Sequence, residues 1–75
     1  DDALLAAVLV KLFGDRQLRI GEEVIAYLLP RIERSFASAQ EIVAALDRAA
    51  LAGRRPVTVK LARQVLNRDP IRDRD

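Results

Sequence analysis

The chain has 75 residues, of which 51% are hydrophobic and 4% are aromatic, and its formal net charge is +2. This length allows one domain with a modest core, and a composition rich in Leu, Ile, Val and Ala favours helices over a sheet. Cysteine and histidine are absent, which excludes disulfides and thiolate metal sites and removes the commonest general base.

Several properties of the whole chain set expectations for its context. The longest apolar run, residues 3–10, is too short to cross a bilayer, so we expect a soluble, cytoplasmic protein. Methionine is absent, so we expect a piece of a longer protein. Basic residues cluster in the last third of the sequence, and we interpret them as a solvated surface rather than a phosphate-binding one. They are Arg54, Arg55, Lys60, Arg63, Arg68, Arg72 and Arg74.

The first helix is predicted from about residue 3 to about residue 13, because large apolar residues recur there with helical spacing. These residues are Leu4, Leu5, Val8, Leu9 and Leu12. Asp1 or Asp2 can accept hydrogen bonds from free N–H groups of the first turn, and Gly14 is expected to end the helix.

A second helix is predicted after Gly21, which can serve as its N-cap. Glu22 and Glu23 then fall in the first turn, where the positive end of the helix dipole favours carboxylates. The inward positions are Val24, Ile25, Leu28, Leu29 and Ile32. Pro30 would remove a hydrogen bond from a helix interior, so this helix either kinks just before it or ends there and continues as a looser turn through Arg34.

Residues 31–53 are predicted to form a long central helix, because apolar spacing, a start signal and a stop signal all agree there. The apolar stripe consists of Phe36, Ala39, Val43, Leu46 and Ala50. Ser35 is expected to cap the start, and Gly53 is expected to adopt the left-handed conformation at the end. The many alanines allow neighbouring helices to approach closely.

A fourth helix is predicted after an extended connector at 54–58, with Thr58 as its cap and Asn67 at its end. Its inward positions are Val59, Ala62, Val65 and Leu66. The sequence therefore predicts an all-α fold, a small four-helix bundle with a long central third helix, over residues 1–67. A flexible tail is predicted at 68–75.

Motifs that carry enzyme chemistry are absent from the sequence. It has no glycine-rich phosphate loop, no cluster of metal ligands and no nucleophile beside a base, so we expect no catalysis by this chain alone and no catalytic or metal-binding residue. Arg31 and Arg34 lie at the start of the third helix, where arginine side chains and free N–H groups both suit phosphate oxygens. The alternative, which the sequence narrowly favours, is that they form surface ion pairs.

The order of these segments resembles one family. The resemblance is carried by ALLAAVLVKLFGDRQLRIGEEVIAYLL, RIERSFASAQEIVAALDRAAL and RPVTVKLARQVL. Together they resemble the C-terminal helical lid of the DnaA-type AAA+ ATPases, and they are most similar to the alphaproteobacterial Hda subgroup of DnaA-related inactivators. The resemblance covers about Asp2 to Leu66, and its most specific parts are KLFGDRQLRI, RIERSF and ALDRAAL.

This resemblance implies a lid that packs over adenine nucleotide held by a preceding α/β ATPase domain. The phosphate loop, the magnesium-binding acid and the arginine finger belong to that domain, so ADP or ATP with Mg is expected in the parent protein and no cofactor in this chain. The implied partners are the ATPase domain, DnaA and the DNA sliding clamp. The implied process is the initiation of chromosomal replication or its negative regulation.

The resemblance also implies a nucleotide contact. In typical members the third lid helix carries, near its N-terminus, an arginine that reaches the nucleotide phosphates, and an ungapped alignment puts Ala37 at that position. An alanine side chain cannot contact a phosphate. Arg34, about one turn earlier, and Arg31 are therefore the candidate cofactor-binding residues.

Two alternatives to a lid are a helix-turn-helix DNA-binding domain, with Lys60 and Arg63 entering the major groove, and a small helical adaptor that binds only proteins. Val59, Leu61 and Ala62 leave the exposed face of the fourth helix poor in polar residues, so direct DNA binding is not expected.

A lid separated from its ATPase domain would expose apolar surface. We therefore expect that the isolated lid can associate with itself through Leu4, Val8 or Val24. No contact with a membrane is expected.

Overall fold

The computed structural model describes residues 1–68, which form four helices. These are α1, Asp2–Asp15; α2, Glu22–Leu28; α3, Phe36–Gly53; and α4, Val59–Arg68. The predicted all-α bundle with a long third helix is thereby confirmed. The predicted tail, apart from Arg68 at the end of α4, lies outside the described residues.

The helix starts follow from side chains that the sequence places before each helix. Asp1 accepts hydrogen bonds from two N–H groups of the first turn of α1 at 2.7 and 3.3 Å. Ser35 accepts one from an N–H of α3 at 3.0 Å, and Thr58 accepts one from an N–H of α4 at 3.1 Å. Gly21 is the N-cap of α2 and has no side-chain cap. All four predicted caps are therefore present, each where free N–H groups need an acceptor.

The prediction that the third helix starts at residue 31 was wrong, because α3 begins at Phe36, after the Ser35 cap, although it does end at Gly53. The end of α1 and both residues expected to take a special conformation at the helix ends were also misplaced. α1 continues past Gly14, and the residue with left-handed backbone is Gln17, at φ 60°. Gly53 is the last residue of α3, and the left-handed residue is Arg54, at φ 52°. Neither glycine therefore takes the conformation for which glycine is usually selected at a helix end.

Backbone hydrogen bonds explain why the left-handed residues lie where they do. The N–H of Leu18 donates to the carbonyl of Phe13 at 3.0 Å, and the N–H of Arg55 donates to the carbonyl of Ala50 at 3.1 Å. Each bond reaches back over the last turn, so the residue just before its donor must turn left-handed, as in a Schellman motif. The side chain of Leu18 also packs against the core, and this contact sets the position of the turn that follows α1.

Pro30 ends α2 rather than kinking it. The last helical residue is Leu28, and the N–H groups of Arg31 and Ile32 both donate to its carbonyl, at 2.9 and 3.1 Å. The chain therefore leaves α2 as a looser turn, which was one of the two predicted outcomes. At the other end of the chain, α4 extends to Arg68, one residue beyond the predicted end at Asn67.

The helices pack in the cyclic order α1, α3, α4, α2, so that α3 touches α1 and α4, and α2 touches α4 and α1. The consecutive helices α2 and α3 are consequently diagonal neighbours. One apolar core lies between all four helices. Its buried members are Leu5, Leu9, Phe13, Val24, Leu28, Ala39, Ile42, Val43, Leu46, Ala50, Val57, Leu61 and Ala62.

The core differs from the predicted one at the bundle ends and along α4. Phe36 was predicted to face inward, but it is 58% exposed. Leu4, which was expected to be available for self-association, is 67% exposed. Both lie in the first turn of their helices, where no neighbouring helix covers them. Leu61, predicted to face outward, is 2% exposed. Because α4 is contacted by both α2 and α3, its buried face is centred on Leu61 and Ala62.

Replacing Arg54 by glycine should raise the free energy of unfolding by about 1 kcal/mol, because glycine adopts the left-handed conformation without the clash of a Cβ. The same change at Arg48, in the exposed interior of α3, should lower it by about 1 kcal/mol, because glycine is a poor helix former. Urea denaturation followed by circular dichroism measures both values. A loss of stability in Arg54→Gly would contradict the left-handed assignment.

Truncating Leu46, which is fully buried, to alanine should cost about 2 to 5 kcal/mol, because a cavity remains at the centre of the bundle. Leu51 provides the matched control, since it lies on the same helix and is 71% exposed. Leu51→Ala should change the stability by no more than about 0.5 kcal/mol. Equal losses in the two variants would show that α3 does not present the described face to the core.

Candidate functional site

The connection between α2 and α3, residues 29–35, carries both arginines that the sequence proposes for phosphate contact. α2 stops before Pro30, and α3 starts once Ser35 caps its first turn. The two arginines are therefore on a short loop, and both are exposed. What each can bind depends on the partners that its guanidinium already has.

Arg34 forms an ion pair with the carboxylate of Asp2, in the first turn of α1. The side chains are 51% and 62% exposed. The pair links the loop to the N-terminal end of α1, but water competes with it on both sides. Such an exposed pair contributes at most about 1 kcal/mol to stability.

Arg31 turns to a different part of the molecule. Its Nη1–H donates to the carbonyl of Tyr27 at 2.8 Å, and its guanidinium carbon lies 3.8 Å from the centroid of the Tyr27 ring. This is a cation–π contact between residues four positions apart, Tyr27 in α2 and Arg31 in the loop that follows. The structure thus separates the two predicted arginines, since Arg34 faces α1 and Arg31 faces α2.

Ala37 is the second residue of α3 and is exposed. Its N–H and that of Phe36 belong to the first turn, where the helix itself supplies no acceptor. The N–H of Ser38 already donates to Ser35 Oγ at 3.0 Å. This end of α3, with the guanidinium of Arg34 nearby in sequence, offers hydrogen-bond donors that suit an anion.

The expected surface ion pair is present for Arg34, whose partner is the aspartate Asp2, whereas Arg31 contacts Tyr27, a partner that was not predicted. Tyr27 is four residues before Arg31, a spacing that places the two side chains on one helix face, so this pair could have been found. The pairing of Asp2 with Arg34 joins distant parts of the chain and had no such signal. Nor did the second long-range pair, Arg16 with Asp47 at 2.8 Å.

The exposed apolar residues only partly match the expected self-association surface. Val24 is fully buried inside the bundle, so the expectation that it mediates self-association was wrong, whereas Val8 is only partly buried. Leu4 is available, as are Phe36 and Leu51. Within residues 1–68, no helix has the length and apolar character needed to cross a membrane, and no three acidic side chains are grouped to hold a metal ion.

Fold and loop together define a class of protein: a small helical domain with two exposed arginines on the connection between α2 and α3. Comparison with protein families makes the class specific, since the model described as Hda, lid domain, matches residues 2–66. The chain belongs to this family, and it is the lid of a DnaA/Hda-like AAA+ protein of replication regulation. Membership favours the lid over the helix-turn-helix and adaptor alternatives. Comparisons with curated proteins and with solved structures returned no match.

The ion pair between Asp2 and Arg34 can be measured by a double-mutant cycle with Asp2→Asn and Arg34→Gln. We expect a coupling energy below about 1 kcal/mol, because both side chains are largely exposed. The coupling should shrink further in 1 M salt, where the Debye length is about 3 Å. A coupling that is large and independent of salt would mean that the pair is shielded from water.

Proposed function

We propose that this lid closes over adenine nucleotide, ADP or ATP with Mg²⁺, that is bound by the ATPase domain of its parent protein. The observation that carries the proposal is the match to an AAA+ lid family over residues 2–66, which includes nearly all of the described bundle. The lid then acts by binding and by its orientation, and it contacts neighbouring subunits. The bond chemistry belongs to the ATPase domain.

At the level of the cell, we propose that the parent protein controls the initiation of chromosomal replication in the cytoplasm. DnaA and the DNA sliding clamp are the proposed partners, and they are engaged by the parent protein as a whole. Family membership of the lid supports this placement.

Arg34 is the side chain that we propose for the phosphate contact. Its present partner, Asp2, is 62% exposed, so the ion pair can open at little cost. A nucleotide phosphate carries more negative charge than one carboxylate and accepts two parallel N–H bonds from a guanidinium. The terminal phosphate of a bound nucleotide can therefore replace Asp2 as the partner of Arg34.

Arg31 is the weaker of the two candidates. Its guanidinium is occupied on one face by the ring of Tyr27 and donates one N–H to the carbonyl of that residue. Moving it to a nucleotide beside α3 would break both interactions, whereas Arg34 gives up a single exposed pair. We therefore assign the larger contribution to Arg34.

Calorimetry of ADP binding to the parent protein tests the proposal. Arg34→Ala should weaken binding about 10-fold, the loss expected for one charge-assisted hydrogen bond. Arg48→Ala, which removes the same charge from the exposed middle of α3, should leave the affinity unchanged. If the parent protein binds neither ADP nor ATP, the proposed function is wrong.

Adding Ala37→Arg to the Arg34→Ala variant sharpens this test. Position 37 is exposed in the first turn of α3, so an arginine there can extend toward the same phosphates. We expect the double variant to recover most of the lost ADP affinity. If neither substitution changes ADP binding, the lid covers the nucleotide without contacting its phosphates.

A further inference from the structure

The ring of Tyr27 lies beside the guanidinium groups of two arginines from different parts of the fold. Arg31 follows α2, and its guanidinium carbon lies 3.8 Å from the ring centroid. Arg63 projects from α4, and its guanidinium carbon lies 6.0 Å from the same centroid. α2 and α4 are packed neighbours, so this Tyr27 cluster bridges two helices of the bundle.

The positive charge of the Tyr27 cluster is not neutralised within the described part of the chain. Neither Arg31 nor Arg63 takes part in any ion pair there. Glu33 is two residues from Arg31 and forms no ion pair with it among the described residues. Glu23 is one turn before Tyr27 on α2, but its carboxylate folds back beside Gly21 at the helix start. Among residues 1–68, two like charges thus lie beside one ring with no ion-pair partner.

The donors of the Tyr27 cluster are ordered before any ligand arrives. Stacking on the ring and the 2.8 Å hydrogen bond to the Tyr27 carbonyl restrain Arg31, and only one of its N–H groups is used. Arg63 is carried by a packed helix. Binding then costs less side-chain entropy than it would with two free arginines.

We propose that Arg31 and Arg63, aligned by Tyr27, form a phosphate-binding site on the α2–α4 side of the lid. Two guanidiniums exceed the charge of one carboxylate, whereas a phosphate group offers several oxygens and up to about two negative charges at neutral pH. The ligand is either the diphosphate group of a free nucleotide or the phosphodiester backbone of single-stranded nucleic acid. The site is separate from Arg34 and does not depend on the proposed nucleotide contact.

The test uses the 75-residue chain without its ATPase domain, titrated with pyrophosphate and, separately, with an oligothymidylate of about 12 nucleotides. Nuclear magnetic resonance follows the arginine Nε–H signals at low salt. We expect Arg31→Gln and Arg63→Gln each to weaken binding about 5-fold or more. Arg48→Gln, which removes the same charge from the exposed middle of α3, should change it less than about 2-fold.

Tyr27 supplies a second comparison that leaves every charge in place. Tyr27→Leu removes the ring that aligns the guanidiniums and should weaken binding, whereas Tyr27→Phe keeps the ring and should bind as the unaltered chain does. Circular dichroism confirms that each variant is folded. Because both variants keep the net charge of the chain, weaker binding by Tyr27→Leu than by Tyr27→Phe would be due to the loss of the ring.

The two probes also identify the source of the phosphate. Binding of pyrophosphate with this pattern of variants supports a nucleotide diphosphate, and binding of the oligonucleotide alone supports a nucleic-acid backbone. If neither probe binds, or if Arg48→Gln weakens binding as much as Arg63→Gln does, the inference is overturned. Because this site does not include Arg34, failure of this site leaves the ADP proposal standing.

Discussion

Burial of one face of α3 is the interaction on which the rest of the structure depends. Ala39, Val43, Leu46 and Ala50 lie on that face and are almost completely buried. Three of these residues, Ala39, Val43 and Ala50, have small or β-branched side chains. The neighbouring helices α1 and α4 can therefore both pack closely against α3. α2, which has only 7 residues and little stability of its own, is then held by α1 and α4 rather than by α3.

Pro30 has the next largest consequence. By ending α2 it creates a short loop that carries Arg31 and Arg34 past the end of the bundle. The two guanidiniums leave this loop in different directions, one to Tyr27 and one to Asp2. A helix that continued through this segment would have kept both arginines on the α2 surface, about one turn apart.

The polar and charged side chains of the described residues lie at the surface of the lid or are only partly buried. Among the described residues no polar or charged side chain is buried, so the interior specifies the fold and contributes nothing to recognition. Surface charges that pair across the bundle, as Arg16 does with Asp47, add little stability in water. An exposed pair of this kind, such as that of Arg34 with Asp2, can open at little cost.

The sequence by itself determined the four helices, the residues that cap them and most of the core, because capping side chains and apolar spacing act over one or two turns. It also indicated the arginine loop and the lid family. Only the tertiary structure decided that Leu61 is buried, that Phe36 is exposed and that Arg31 and Arg34 have separate partners. Those outcomes depend on which helices become neighbours, and periodicity within one helix carries no information about the helix that will cover it.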